Sequence, residues 1–504
     1  MSPSPLRSYV ARLALPLGLF VAAILCWTVA QRLGTVEPAS AQGGALPVLT
    51  VPLVSASRLP MAAVAVPATP VTESAGSETG TQAAPPETTA ELISRSLASL
   101  PQEPGGLSCV QILIDGEPVL DVRSSLGLRP SYAQLAITGH AAIDILGTDF
   151  RYITSLMGAQ APDENGALAG ELFVIGGGDP VLMTQTYAVS LRPPPEARTA
   201  PEELAAALVT AGVLRIDGAV VGVDRRYDSE RAITGWPQDL LAEGLVGPLG
   251  ALQIDDAFEL RPGTTAGLGV PSEVPAAHAA GLITQALSNA GVIVAGPQRA
   301  AATDEQLPEL TTLASVVSAP LSDIVLHMLA TNDASAAELM VKELGFATQG
   351  TGTTVAGGRA IQALLQGQGI DLVVPFRDGS GLDPIGGTTC SQLSRTIDGI
   401  GDEHPTLAVL PAVDMPGVFG GLLSDVEVEA DLRLVGGVQG NASGLIGRTV
   451  EPDLPQITVA SIINRPDGPS ETDLGFQRAL IELVDDLRAA ITVGGAGDGG
   501  LGDG

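Results

Sequence analysis

Lysine is nearly missing from this 504-residue chain: Lys342 is the only one. Any mechanism that needs a lysine one turn from a serine, with a second lysine elsewhere, is excluded by that count. Positive charge is scarce altogether, with 25 Lys and Arg against 56 Asp and Glu and a formal net charge of -31. Nucleic-acid partners, which require basic surfaces, are therefore not expected. The run Gly176-Gly177-Gly178 has no G-x-G-x-x-G or Walker spacing and turns on Asp179-Pro180 instead of opening a helix, so no nucleotide cofactor is implied. Asp179, Asp224, Asp255 and Asp256 read as turn formers and strand-end residues, not as metal ligands. Neither a metal nor any other cofactor is expected. What remains is a chain with 45% hydrophobic and 16% charged residues, long enough for two or three globular domains.

Arg7 and Arg12 precede an apolar run over residues 13–30, interrupted by Pro16 and followed by Gln31-Arg32. This is the pattern of an export signal or a membrane anchor, so residues 1–33 are read as that segment and the body is expected outside the cytoplasm. Ala39-Ser40-Ala41 is a candidate cleavage site. Residues 34–87, rich in Ala, Pro and Thr without lasting periodicity, read as a disordered spacer. Cys109 and Cys390 are the cysteines outside the apolar run. An oxidising envelope would permit a bond between them, but sequence does not show their distance and two free thiols are the favoured state.

The stretch 128–147 is the centre of the reading. Ala133, Ile137, Ala141 and Ile145 recur at helical spacing, Pro130 stands at the entry and Gly147 at the exit. A hairpin precedes it: strand 107–114, turn Asp115-Gly116, strand 118–122. Further on lie a helical region over 321–345, the loop Asp378-Gly379-Ser380-Gly381, an edge strand through Val435-Gly436-Gly437, a strand over 456–464 and an amphipathic terminal helix over 471–489. Between 148 and 320 comes a long insertion with strands over 171–175 and 214–224 and a helix over 201–212.

This order resembles the low-mass, three-domain D-alanyl-D-alanine carboxypeptidase/endopeptidase class of penicillin-binding proteins. The resemblance implies an α+β fold: a β-lactamase/transpeptidase-like domain built from 88–147 and 321–490, split by an accessory region over 148–320, with a disordered Gly/Asp tail over 491–504. It also implies a serine peptidase acting on peptidoglycan through Ser-x-x-Lys, Ser-x-Asn and Lys-Thr-Gly motifs. In register, Tyr132 and Leu135 take the first Ser and Lys, Asn332 and Ala334 take the second Ser and the Asn, and Val435 and Gly436 take the third Lys and Thr. Gly437 persists.

All three motifs thus lack their chemistry, and the expectation is a non-catalytic exported homologue that binds peptidoglycan peptides or an envelope protein. Asp378, Gly379, Ser380, Gly381 and Gly437 are its candidate ligand-binding positions. Ser380 is better read as a brace for a tight loop than as a nucleophile, and His327 as a packed side chain. The alternatives are an active hydrolase rebuilt on Ser131 with Gln134 or Ser380, and a structural envelope protein.

Overall fold

The computed structural model describes residues 87–498, except 192–193, 238, 261–268 and parts of 417–425; for 494–498 only the backbone is described. The apolar run, the spacer and residues 499–504 lie outside the described residues. Among those described, no helix is long and apolar enough to cross a membrane.

A reciprocal capping box between Thr88 and Glu91 starts α1 (Thr89–Ala98). The hairpin follows as β1 (Ser108–Ile114) and β2 (Glu117–Val122). Asp115 and Gly116 both take left-handed backbone, φ 49° and 81°, as a two-residue hairpin turn requires. A 3-10 turn, Ser131–Ala133, leads into α2 (Gln134–Leu146), which Gly147 ends at φ 85°. This helix is buried on every side from Gln134 to Ile143, polar Thr138 and His140 included. The apolar stripe visible in sequence understates it, because neighbours cover the remaining faces.

The insertion builds its own layer. β3 (Ile153–Gly158), β4 (Leu172–Ile175), α3 (Pro201–Thr210), β5 (Val220–Val223), α4 (Pro275–Asn289), β6 (Arg299–Ala300) and β7 (Thr311–Val317) follow in order. Their sheet runs β6-β5-β4-β3-β7. Its main core packs Leu156, Val174 and Val220 with Leu204 and Leu208 of α3 and Ile283 and Leu287 of α4. The strand expected over 214–224 divides, since Arg215–Ile216 joins a separate three-stranded ribbon.

The chain then returns as α5 (Leu321–Thr331), α6 (Ala334–Gln349), α7 (Thr354–Gly367), α8 (Cys390–Asp398) and α9 (Pro405–Val409). It closes with β8 (Leu432–Gln439), β9 (Ala442–Thr449), β10 (Ile457–Asn464) and α10 (Glu471–Asp498). The single helical region read over 321–345 is two helices, broken where Asn332 turns left-handed. The terminal helix passes the expected end at 489, so the tail expected from 491 is helical to Asp498.

These last strands join the first hairpin in one antiparallel sheet, order β8-β9-β10-β1-β2. Its residues alternate between two buried faces, as a period of two dictates. Val110, Ile112, Leu434, Leu445 and Val459 meet Phe476, Leu480, Val484 and Leu487 of α10. Cys109, Val435, Ile446, Ala460 and Ile462 face the helical core of α2, α5 and α6. On that second face Cys109 meets Cys390 at the start of α8: the sulfurs are 2.09 Å apart and the Cα atoms 6.0 Å. The favoured free-thiol state is thereby corrected. β1 and α8 are 281 residues apart in sequence and adjacent only in the fold.

The insertion is tied to α6. Arg226 pairs bidentately with Glu343, Tyr227 donates to the same carboxylate at 2.9 Å, and Lys342 pairs with Asp228. The one lysine is thus a buried tie between two regions of the fold.

Candidate functional site

Two glycine-lined walls clamp the 3-10 turn that carries Tyr132. Gly381 is left-handed at φ 78°, and a Cβ there would lie 2.1 Å from the Ser131 carbonyl oxygen. On β9, a Cβ at Gly444 would lie 1.9 Å from the carbonyl oxygen of Pro130. Both clashes are with backbone, so neither position accepts a larger residue without moving the turn. Under this pressure Ser131 adopts left-handed backbone, φ 51°, and its fully buried hydroxyl donates to the Gly437 carbonyl at 3.1 Å.

Behind the turn stands a buried polar brace. The Asp378 carboxylate accepts from Trp236 Nε1 at 2.9 Å and from the backbone N–H groups of Gly381 and Asp383. Glu338 of α6 accepts from the Gly379 and Ser380 N–H groups, both at 2.9 Å, and from the Ser380 hydroxyl at 2.7 Å. Thr138 donates to the Gly379 carbonyl. Burial, with Asp378 beside it, pushes the Glu338 carboxyl up to about 8. The same desolvation raises Asp378. Asp378, Gly379, Ser380 and Gly381 therefore sit beneath the turn, and none is among the residues lining the cleft in front of it.

That cleft, about 460 Å³, is where the three motif regions meet. Tyr132, 8% exposed, lines it. Burial and the negative charge of Asp333 push its phenol up to about 12. Leu135, one turn on, is fully buried hydrocarbon. Asn332 caps α5 in left-handed backbone, φ 56°, and its Nδ2 donates to the Gly436 carbonyl at 3.2 Å. Asp333 caps α6 by accepting from Ala336 N–H at 2.9 Å, and Ala334 opens the helix as a bare methyl group.

Val435 points into the core at 1% exposure. Gly436 lies so close to β9 that a Cβ would fall 2.3 Å from the Gly444 carbonyl oxygen. Gly437 leaves room for Tyr132 and Asn332: a Cβ there would stand 2.9 Å from Tyr132 Cδ2 and 2.8 Å from Asn332 Nδ2. Arg433 is ion-paired with Asp431 and does not line the cleft.

Two cleft residues were not singled out as site residues in sequence. His327 of α5 has its Nε2 buried without a hydrogen-bond partner, 3.8 Å from Asp333 Oδ2. Burial pulls its imidazole down to about 4, so it is neutral at pH 7. Asp256 comes from the insertion, where its carboxylate accepts from the Tyr187 hydroxyl at 2.6 Å. The other acidic residues weighed as a cluster are dispersed: Asp179 caps Val181, Asp224 pairs with Arg231, and Asp255 accepts from Thr184. Among the described residues lining the cleft there are two carboxylates and no Lys or Arg.

The cleft thus presents a phenol that stays protonated at pH 7 and, among its described residues, neither a lysine nor an arginine.

Comparison with known proteins identifies the scaffold. The profile of the D-Ala-D-Ala carboxypeptidase 3 (S13) family matches residues 90–266 and 260–440. A D-alanyl-D-alanine carboxypeptidase of Actinomadura sp. (strain R39) is 23% identical over 320 residues, 51% of this chain and 57% of that relative. This chain thus aligns with little more than half the length of that relative. Penicillin-binding protein 4 of Haemophilus influenzae superposes with a TM-score of 0.60 at 20% identity, over 77% of this chain and 97% of that one. Its structure with a bound β-lactam gives 0.57 at 20% identity, over 79% and 99%. The likeness to these structures establishes the transpeptidase-like fold, and the profile, which spans well over half of the sequence, establishes that the chain belongs to the D-Ala-D-Ala carboxypeptidase (S13) family.

Proposed function

We propose that this chain is an exported, non-catalytic member of its family that binds peptidoglycan peptides in the cleft beside Tyr132. The observation that carries the reading is the occupancy of the site: a phenol pushed up to about 12 stands at the nucleophile position and Leu135 at the position of its base. A group held neutral by burial, with no base one turn away, is not a nucleophile at pH 7. The absence of Lys and Arg among the described cleft residues removes the anchor for a terminal carboxylate. Binding then depends on the body of the peptide, which can meet the far end of β8 at Val438, since Leu432 and Leu434 already bond to the 411–413 segment and Asn332 holds the Gly436 carbonyl.

The rival, a hydrolase rebuilt on Ser131 or Ser380, is disfavoured because both hydroxyls are fully buried and donate to structural acceptors, Gly437 O and Glu338. Export is supported by the arginines ahead of the apolar run and by the disulfide between Cys109 and Cys390, which suits an oxidising compartment.

The test is a paired measurement on the purified full-length protein. Fluorescent penicillin is expected to leave it unlabelled while immobilised muropeptides retain it. Stoichiometric labelling would establish the hydrolase instead, and failure to retain muropeptides would leave a purely structural envelope protein.

A further inference from the structure

Across the Asp255-Asp256 turn from the cleft, the insertion carries a second groove of about 410 Å³. Consecutive residues divide between the two depressions: Ser190 and Asp255 line the groove, while Leu191 and Asp256 line the cleft. Tyr187 lines the groove, and its hydroxyl donates to Asp256 of the cleft at 2.6 Å. Groove and cleft therefore share one wall.

That wall is held in a disfavoured backbone. Asp255, Asp256 and Ala257 stand consecutively at φ 59°, 51° and 55°, a left-handed run that L side chains resist and that surrounding contacts must impose. Thr184 supplies one such contact, donating its N–H and hydroxyl to the two oxygens of Asp255 at 2.7 and 2.8 Å.

The groove combines side-chain amides and hydroxyls with the carboxylates of Glu202, Asp255 and Glu259. Leu282, Gln285 and Asn289 fall on one face of α4 at spacings of three and four, and the two amides are exposed. Glu202 and Glu259 are its exposed carboxylates, and Leu260, 53% exposed, adds an apolar group. Among the described residues lining the groove there is no Lys or Arg, so it does not suit an anion. Side-chain amides and carboxylates match the donors and acceptors of hydroxyl and acetamide groups, and a leucine matches the C–H face of a sugar ring.

We propose that this groove binds an N-acetylated glycan strand, and that the peptide carried by the strand enters the cleft over the shared wall. The inference rests on the peptidoglycan-binding reading and adds a sugar subsite on the insertion.

The experiment titrates the full chain with tetra-N-acetylchitotetraose by calorimetry, and separately with a D-Ala-D-Ala-ended stem peptide. Saturable oligosaccharide binding is expected, weakened at least tenfold in the double variant Gln285→Ala and Asn289→Ala. Both positions are solvent-exposed in a helix, where alanine is well tolerated, and a thermal melt verifies the fold. Absence of saturable oligosaccharide binding, or binding that the double variant leaves unchanged, overturns the groove proposal whatever the peptide does. Oligosaccharide binding without peptide binding supports the groove and overturns the reading of the cleft alone.

Discussion

The turn bearing Tyr132 has a front and a back, and they are built on different principles. In front, the motif positions hold none of the family's reacting groups: Tyr132 and Ala334 line the cleft, while Leu135 and Val435 are buried against the turn's surroundings. Behind, Glu338 and Asp378 take six donors between them and hold the Asp378–Gly381 loop against the turn. The back is constrained by backbone contact and buried, hydrogen-bonded carboxyl groups, which no single side chain can relax. The front is constrained by side-chain shape, which can adjust. A scaffold of this family can thus keep the geometry of its turn with the reacting groups absent.

The largest expected contrast concerns chemistry. Wild type and Tyr132→Ser should both fail to react with fluorescent penicillin, because a hydroxyl at 132 still faces Leu135 and a cleft without cations. Catalytic groups that act as a unit lose about 10⁶-fold in rate when one is missing. Full restoration adds Leu135→Lys, Asn332→Ser, Ala334→Asn, Val435→Lys and Gly436→Thr. The last change drives a Cβ to 2.3 Å from Gly444 O, so the six-site variant should fold less well than the five-site variant that keeps Gly436. Labelling of wild type or of the single mutant would erase the distinction between front and back.

Opening the disulfide loosens the back of the sheet from the helical layer. Closing a loop this long should be worth roughly 2–5 kcal/mol, read as a lower melting temperature under reductant. Thiol counting of the denatured, unreduced full chain should find one free group, Cys26, and a count of three would remove the bond from the fold.

Glycine substitutions compare the two sides directly. Gly381→Ala meets backbone at 2.1 Å in a left-handed position and should cost about 3 kcal/mol or more. Gly437→Ala meets side-chain atoms alone, the Tyr132 ring and the Asn332 amide, which shift more easily than backbone, and should cost about 1 kcal/mol. Equal losses in chemical denaturation would contradict the idea of a rigid back and an adjustable front.

The smallest effects are titrations of opposite sign. Glu338 is raised in the fold to about 8, so the stability it supports is complete below its ordinary value of 4.5 and is lost as pH rises toward 8. His327 is lowered to about 4, so its stability is present above 6.5 and is lost as pH falls toward 4. Glu338→Gln should flatten the alkaline limb of a melting-temperature profile, and His327→Phe the acid limb. A mutant that flattens the opposite limb would refute the assignment.

The hairpin, the helix after it, the position of the insertion and the apolar face of the terminal helix were legible because each depends on local periodicity or turn chemistry. So was the departure of all three motif positions from the family's residues. A chain with one lysine cannot supply two to a site, and residue identity at 132, 135, 332, 334, 435 and 436 is independent of folding. The break at Asn332 was missed because apolar residues continue on both sides of it, although an Asn that ends one helix in left-handed backbone and an Asp that caps the next are local signals.

Tertiary structure alone decided what depends on distance across the chain. It joined Cys109 to Cys390, brought Asp256 of the insertion into the cleft, and placed Glu338 under the Asp378 loop, where burial raises its carboxyl. Composition and spacing specify which groups exist and which local elements they form. Desolvation, close backbone approach and pairing between distant segments arise only when the chain is packed, and these set the charge, rigidity and shape of the site.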